Sequence, residues 1–183
     1  MEILIADDEP IIRMGLKAML QEMGHAVTAA SNGREALQLA QRQRFDLAIL
    51  DIKMPYTDGL QAARTLARTA PLPVILLTAF SERDLIEKAS DLPIQGYLVK
   101  PVQPGQLSAS IAVAHKRFAD QQARRAEVDD MAQKLEERKV IDRAKGKLMA
   151  GGLSEDAAYR AIQRQARKAQ LPMHEVAQRI LDA

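Results

Sequence analysis

The chain has 183 residues, 47% of them hydrophobic and 27% charged, which is typical of a soluble globular protein with one ordinary domain and a small extra module. The absence of cysteine excludes disulfide frameworks, cysteine-based zinc sites and thiol catalysis. No apolar run approaches the roughly 20 residues of a membrane span, and the N-terminus lacks the pattern of a secretory signal. We therefore expect a cytoplasmic protein with no membrane partner.

Five short apolar runs alternate with amphipathic segments in the first 100 residues. The runs are Ile3–Ala6, Ala26–Ala30, Leu47–Leu50, Val74–Leu77 and Tyr97–Val99. Continuous apolar character is typical of strands buried on both faces of a parallel sheet. The segments between the runs repeat apolar residues at helical spacing. The pattern predicts an α/β domain over residues 1–117 with a doubly wound, five-stranded parallel sheet.

A long helix is predicted to follow this domain, since no glycine or proline occurs between Gln106 and Lys145. Residues 118–137 form a helical linker whose first part is almost wholly polar. Its later apolar residues keep helical spacing; they are Val128, Met131 and Leu135. A coiled-coil dimer seam and a solvated linker helix are both compatible with this short pattern.

Residues 138–183 are predicted to form a small all-α domain of three helices, of which the first is the end of the long helix. After Gly151 and Gly152, Ser154 is a suitable N-cap for a second helix that runs to about Gln170. Leu171–Pro172 interrupts that helix, and Met173–Leu181 forms the last one.

The formal net charge is only +2, but basic residues are concentrated near the C-terminus. Residues 138–168 contain nine Lys and Arg against three Asp and Glu. Such a concentration favours a partner rich in phosphates, although an ordinary solvated face is the alternative interpretation.

Charged and hydroxyl side chains follow four of the predicted strands at their carboxyl ends. They are Asp7, Asp8, Asp51, Thr78 and Lys100. A single such residue is usually a cap or a solvated charge, but parallel strands bring all of them to one edge of the sheet. Clustered carboxylates suit Mg²⁺, and a cation beside Asp51 together with Lys100 would stabilise a transferring phosphoryl group. The sequence therefore predicts a phosphoryl site at this edge.

Residues 1 to about 117 resemble the receiver domain of two-component response regulators. The resemblance is carried by Ile5–Pro10 (IADDEP), Asp51–Gly59 (DIKMPYTDG), Leu77–Ala79 (LTA) and Tyr97–Pro101 (YLVKP). It implies that the sheet is flavodoxin-like and that a sensor histidine kinase is the partner. It also implies a chain that is not an enzyme, apart from its own phosphoryl transfer and hydrolysis.

The same resemblance assigns roles to individual residues. Asp51 would be the phosphoacceptor, and Mg²⁺ would be held by Asp7, Asp8, Asp51 and the backbone carbonyl of Lys53. Thr78, Ala79 and Lys100 would contact the phosphoryl group, and Tyr97 would be the aromatic switch residue. The Lys100–Pro101 peptide would be cis, and Lys53 and Phe80 would occupy positions that modulate the lifetime of the phosphoryl group.

Residues from about 125 to 183 resemble the ANTAR domain, an RNA-binding module associated with transcription antitermination. The matching segments are Val140–Met149, Ser154–Tyr159 and Glu175–Ala177. The resemblance implies binding to structured RNA, with hairpins in a nascent transcript as the partner. A homodimer formed on phosphorylation is a separate prediction, which rests on the uninterrupted long helix. The candidate RNA-binding residues are Arg143, Lys145, Gly146, Lys147, Tyr159, Arg160 and Arg164.

Two of these candidates have other interpretations. The Tyr159 ring is suited either to base stacking or to packing between helices. Gly146 in mid-helix costs about 1 kcal/mol relative to alanine, which suggests that either a neighbouring helix or RNA approaches the backbone there. Ile162–Gln163 departs from the family, which more often has Leu-Arg.

A DNA-binding regulator and a protein-interaction adaptor are the alternatives to RNA binding. The first is disfavoured because Arg179 is the one fixed cation in the last predicted helix. The second would require an acidic partner for the basic face.

Overall fold

The computed structural model describes residues 1–79 and 94–182, so Phe80 lies outside the described residues. The strands are β1 (Glu2–Ala6), β2 (Ala26–Ala30), β3 (Leu47–Asp51), β4 (Val74–Thr78) and β5 (Gly96–Val99). The helices within the described ranges are α1 (Pro10–Glu22), α2 (Gly33–Arg42), α3 (Gly59–Thr69), α4 (Pro104–Ala150), α5 (Glu155–Ala169) and α6 (Met173–Asp182).

The five strands form one parallel sheet in the order β2-β1-β3-β4-β5, which confirms the predicted doubly wound topology. In the centre of the sheet, Ile5 pairs with Ala29 on one side and Ile49 on the other. β2 lies on one side of β1, whereas β3, β4 and β5 follow on the other side. The connections therefore diverge between β1 and β3, and such a switch point opens a crevice at the carboxyl ends of the strands.

Two apolar layers cover the sheet, which explains why the strands are continuously apolar. Leu4 and Leu50 pack on the side of α2 and α3, together with Leu66 of α3. Ile5 and Ile49 face the opposite layer, which contains residues of α1 and of the first turns of α4. Strands buried on both faces need no period-2 alternation.

The chain divides into two compact units, Met1–Gln121 and Gln122–Ala183, with the division inside α4. We call the first the α/β unit and the second the helical unit. The helical unit has its own small core of Ala144, Ile162, Ala166, Val176 and Ala177. The domain boundaries 117/118 and 137/138 stay predictions.

Ser154 caps α5 as expected, because its side chain accepts a hydrogen bond from the Ala157 amide. The C-cap residue of α5 is Gln170, whose φ of 54° lies in the left-handed region. A long helix followed by two short ones confirms the predicted all-α C-terminal region.

The linker part of α4 leaves its apolar side chains in solvent. Val128, Met131 and Leu135 are 64%, 68% and 54% exposed. The coiled-coil hypothesis stays a prediction. Among the described helices, none combines the length and the apolar character that a bilayer crossing requires.

Candidate functional site

Three charged side chains from distant parts of the sequence meet at the carboxyl edge of the sheet. Asp7 follows β1, Asp51 ends β3 and Lys100 follows β5. The Lys100 Nζ lies 2.8 Å from Asp7 Oδ2 and 3.0 Å from Asp51 Oδ1, and Asp7 and Asp51 are 0% and 4% exposed. Two nearly buried carboxylates therefore share one ammonium group.

Asp8 completes an acidic cluster with these two carboxylates. One carboxylate oxygen from each of Asp7, Asp8 and Asp51 lies within 4.8 Å of the others. The buried Asp7 Oδ2 lies 2.8 Å from the Lys100 ammonium, which offsets part of the negative charge of the cluster. Three carboxylates gathered this closely, with Asp8 exposed, supply the hard oxygen donors that fit a small divalent cation such as Mg²⁺.

The position predicted to supply a backbone ligand borders the same cluster. Lys53 lies in the loop after β3, and together with Asp8, Met54 and Asp58 it lines a cleft of about 420 Å³. The cleft gives solvent-borne groups access to the acidic edge of the sheet.

Burial changes the proton affinities of the central groups. It raises the pKa of Asp51 to about 6, against the opposing effect of Lys100, and the nearby charges of Asp7 and Asp8 add to the rise. Burial opposes the charged form of Lys100, but the two carboxylates outweigh it and hold the Lys100 pKa above its usual value. Burial therefore makes the Asp51 carboxylate less stable as an anion than an exposed aspartate is.

The loop after β3 is folded tightly against the acidic edge of the sheet. The Ile52 amide donates to the Leu77 carbonyl at 3.0 Å, and the Gly59 amide donates to the Ile52 carbonyl at 3.0 Å. A Cβ on Gly59 would overlap the backbone oxygen of Asp51, so only glycine allows this approach. Asp58 caps α3 by accepting from the Gln61 amide at 2.7 Å. These contacts fix the backbone that carries Asp51.

The predicted switch residues lie on β4, which neighbours the Asp51 strand β3, and on β5 beyond it. Thr78 ends β4, is 1% exposed and donates its hydroxyl to the Ala79 carbonyl at 3.0 Å. Tyr97 on β5 is 56% exposed, so its ring points away from the core in this structure. The Lys100–Pro101 peptide is cis, as predicted.

Sequence reasoning missed Arg13 on α1. Its guanidinium donates to the backbone carbonyl of Asp7 at 2.6 Å, which ties the first helix to the acidic loop. The available signal was a cation placed one helical turn after the Asp7–Asp8 pair.

The candidate RNA-binding residues lie in the helical unit and differ in accessibility. Arg143, Arg160 and Arg164 are exposed and form no ion pair with described residues. Lys147 is exposed and donates to the Leu181 carbonyl at 3.2 Å. Tyr159 is 44% exposed, which leaves part of its ring accessible.

Lys145 stands apart from these cations. Its Nζ lies 3.0 Å from Asp142 and 2.9 Å from Glu155, and its side chain is only 18% exposed. The lysine is thus engaged in a tie between α4 and the first residue of α5, which makes it less accessible to RNA than Arg143.

Two family models match the chain. Residues 3–112 match the response regulator receiver domain, and residues 129–181 match the ANTAR domain. The two matches cover the α/β and helical units in the order that the motifs suggested.

Similar proteins include regulators and isolated receiver domains. The chain is 42% identical over 182 residues to the transcriptional regulatory protein PdtaR of Mycobacterium tuberculosis, covering 98% of this chain and 89% of that protein. A receiver domain protein from Clostridium thermocellum superposes with a TM-score of 0.60 at 33% identity, covering 63% of this chain and 94% of that one. The receiver domain of a sensor histidine kinase from Pseudomonas aeruginosa, with a magnesium ion in its active-site cleft, gives 0.58 at 30% identity, covering 63% and 97%.

Proposed function

The chain belongs to the two-component response regulators that join a receiver domain to an ANTAR domain, as its motifs predicted, and we propose that phosphorylation of Asp51 switches it to bind structured RNA. The observation that carries the proposal is the shared ammonium of Lys100 between Asp7 and Asp51, beside the carboxylate of Asp8.

In the proposed reaction, an oxygen of the Asp51 carboxylate attacks the phosphorus atom of a phosphohistidine on the sensor histidine kinase. The new O–P bond forms while the P–N bond breaks, and its electron pair leaves with the imidazole nitrogen. Lys100 then turns part of its hydrogen bonding from the carboxylate to the phosphoryl oxygens, where a cation stabilises the negative charge. Hydrolysis of the acyl phosphate resets the switch.

Asp7, Asp8, Asp51 and the Lys53 carbonyl would hold Mg²⁺, which neutralises charge on the phosphoryl oxygens when it is bound. The magnesium ion in the similar sensor-kinase receiver domain supports this assignment. Thr78 is expected to move toward the phosphoryl group, and Ala79 contributes backbone next to it. Tyr97, now 56% exposed, is expected to turn inward in response.

The output of the switch is RNA binding by the ANTAR domain, and its proposed consequence is transcription antitermination. The exposed cations Arg143, Arg160 and Arg164 supply contacts for phosphates, and the accessible part of the Tyr159 ring is suited to base stacking. A homodimer formed on phosphorylation would present two such domains to paired hairpins, which raises avidity through linkage.

Crosslinking of the full-length protein to RNA, followed by sequencing, tests this function. We expect recovery of hairpin RNA with the phosphorylated wild type, and weak recovery with the unphosphorylated protein or with Asp51→Asn. Preferential recovery of duplex DNA in a parallel binding assay would support the DNA-binding alternative. Equal RNA recovery from wild type and Asp51→Asn would refute control by phosphorylation.

The route between the two domains has a separate test in α4. We expect Ala123→Pro to interrupt this helix between the domains, and so to uncouple RNA affinity from phosphorylation while Asp51 is still labelled. A proline variant that retains a full RNA response to phosphorylation would mean that the signal does not travel through α4.

A further inference from the structure

Gly146 lies in the interior of α4 and is exposed to solvent. Apart from the adjacent residues and the surrounding backbone of the helix, no described atom lies within 4 Å of a Cβ built at this position. Alanine would therefore fit without any displacement, and the packing of the described residues gives no reason for glycine. Because glycine is the least favourable helix residue after proline, its presence here lowers the stability of the helix without an internal benefit.

The residues three and four positions away surround Gly146 on the helix surface; they are Asp142, Arg143, Met149 and Ala150. Arg143 and Met149 are the cation and the large apolar side chain among them. Arg143 is exposed, and Met149 is 42% exposed. We call this surface the 143–146–149 face: a cation, a bare stretch of helix backbone and an accessible apolar side chain.

The charge of this face suits a polyanion. The nearest acidic neighbour, Asp142, lies 3.0 Å from the Lys145 Nζ, and the same lysine contacts Glu155 at 2.9 Å. Lys145 therefore contacts two of the three acidic residues within 138–168, and Arg143, without an ion pair to described residues, stays available for a phosphate. A second protein chain would be expected to bring an acidic surface, whereas an RNA strand supplies phosphates, sugars and flat bases together.

We propose that the 143–146–149 face is where RNA approaches α4 most closely, with the sugar–phosphate backbone lying against the bare helix at Gly146. Arg143 contacts a phosphate, and Met149 contacts a sugar or base. The inference rests on the proposed RNA-binding function and adds a specific surface to it. A side chain at position 146 would hold the RNA away from the helix, although it would improve the helix itself.

The test uses the phosphorylated full-length protein and a labelled stem-loop RNA, selected by the wild type from a pool with a randomised loop. Gly146→Ala is expected to raise the thermal midpoint by about 4 °C through helix propensity, yet to weaken RNA binding by about fivefold to tenfold. Gly146→Leu, with similar helix propensity and a larger side chain, is expected to weaken binding further. Fluorescence anisotropy measures affinity, and sedimentation checks the oligomeric state.

Gly15 provides a matched control, since it lies within α1, is exposed and has equally open surroundings. Gly15→Ala should raise stability and leave RNA affinity unchanged. The inference is overturned if Gly146→Ala binds RNA as wild type does, if Gly15→Ala weakens binding equally, or if Gly146→Ala alters the monomer–dimer balance instead. A pool from which the wild type selects no RNA would overturn the proposed function, and the inference with it.

Discussion

The two units of this protein use charge in opposite ways. In the α/β unit, Asp7 and Asp51 are nearly buried and share the Lys100 ammonium within 3.0 Å. In the helical unit, Arg143 and Arg164 lie in solvent without ion pairs to described residues. Buried charges interact strongly because water does not screen them, whereas exposed charges contribute weakly and additively. Substitution of one charged residue should therefore abolish the activity of the site in the α/β unit. In the helical unit, the same kind of substitution should weaken RNA binding only in part.

The largest expected effect follows the removal of the phosphoacceptor. Asp51→Asn should abolish labelling by a small acyl phosphate in the presence of Mg²⁺, because an amide is not a nucleophile for this transfer. Mass spectrometry of the intact protein measures the result. Asp58→Asn, in the same loop, is the matched control and should be labelled normally, since asparagine also caps a helix. Stoichiometric labelling of the Asp51 variant would place the acceptor elsewhere.

A large effect on metal binding, without damage to the fold, is expected from Asp8→Asn. The carboxylates of Asp7, Asp8 and Asp51 repel one another, so removing one should leave the metal-free unfolding free energy equal or higher by up to about 1 kcal/mol. Magnesium affinity should fall more than about tenfold, because an oxygen ligand is lost. Calorimetry measures the affinity, and urea unfolding in chelator measures the stability.

Glu9→Gln is the control for this experiment. Glu9 is 64% exposed and lies 3.6 Å from the Lys100 Nζ, outside the cluster of three carboxylates. The magnesium affinity of the Glu9→Gln variant should stay near that of the wild type. Equal losses in both variants would mean that magnesium responds to overall charge rather than to this site.

A moderate effect separates Arg143 from Lys145 in the helical unit. Arg143→Ala should lower the log–log salt slope of RNA binding by about one unit, as expected for one lost phosphate contact. Lys145→Ala should change the slope less and lower the thermal midpoint instead, because it breaks the contacts with Asp142 and Glu155. The opposite assignment of the two effects would show that Lys145 is the phosphate contact.

The smallest effect concerns a partly exposed carboxylate in the α/β unit. Glu35 accepts hydrogen bonds from the side chain and backbone of Ser31, which hold its pKa below its usual value of 4.5. Its contribution is present above pH 4.5 and is lost as the pH falls through the lowered folded-state pKa. Glu35→Gln should therefore cost on the order of 0.5 kcal/mol at pH 7, and nothing in stronger acid. Urea unfolding of wild type and Glu35→Gln, at pH 7 and well below pH 4.5, measures the difference in the free energy of unfolding. A loss of stability that persists in acid would contradict this account.

The strands and the order of the site residues were predictable because they depend on local composition. The run Leu47–Leu50 became a strand one residue longer, Leu47–Asp51, and Tyr97–Val99 became Gly96–Val99. Residues that end parallel strands must meet at one edge, so the convergence of Asp7, Asp51 and Lys100 needed no coordinates. The contact of Arg13 with the Asp7 carbonyl was not predictable, since it depends on how α1 leaves the sheet.

The sequence by itself determined the two families, the parallel sheet and the set of charged residues at its edge, because hydrophobic periodicity and motif spacing are properties of the chain. Only the tertiary structure decided which of the basic residues are available. Lys145 and Arg143 are two positions apart in the same helix, yet Lys145 contacts Glu155 across the Gly151–Gly152 turn and Arg143 does not. Such a difference depends on the packing of α5 against α4, which sets distances that no local pattern contains.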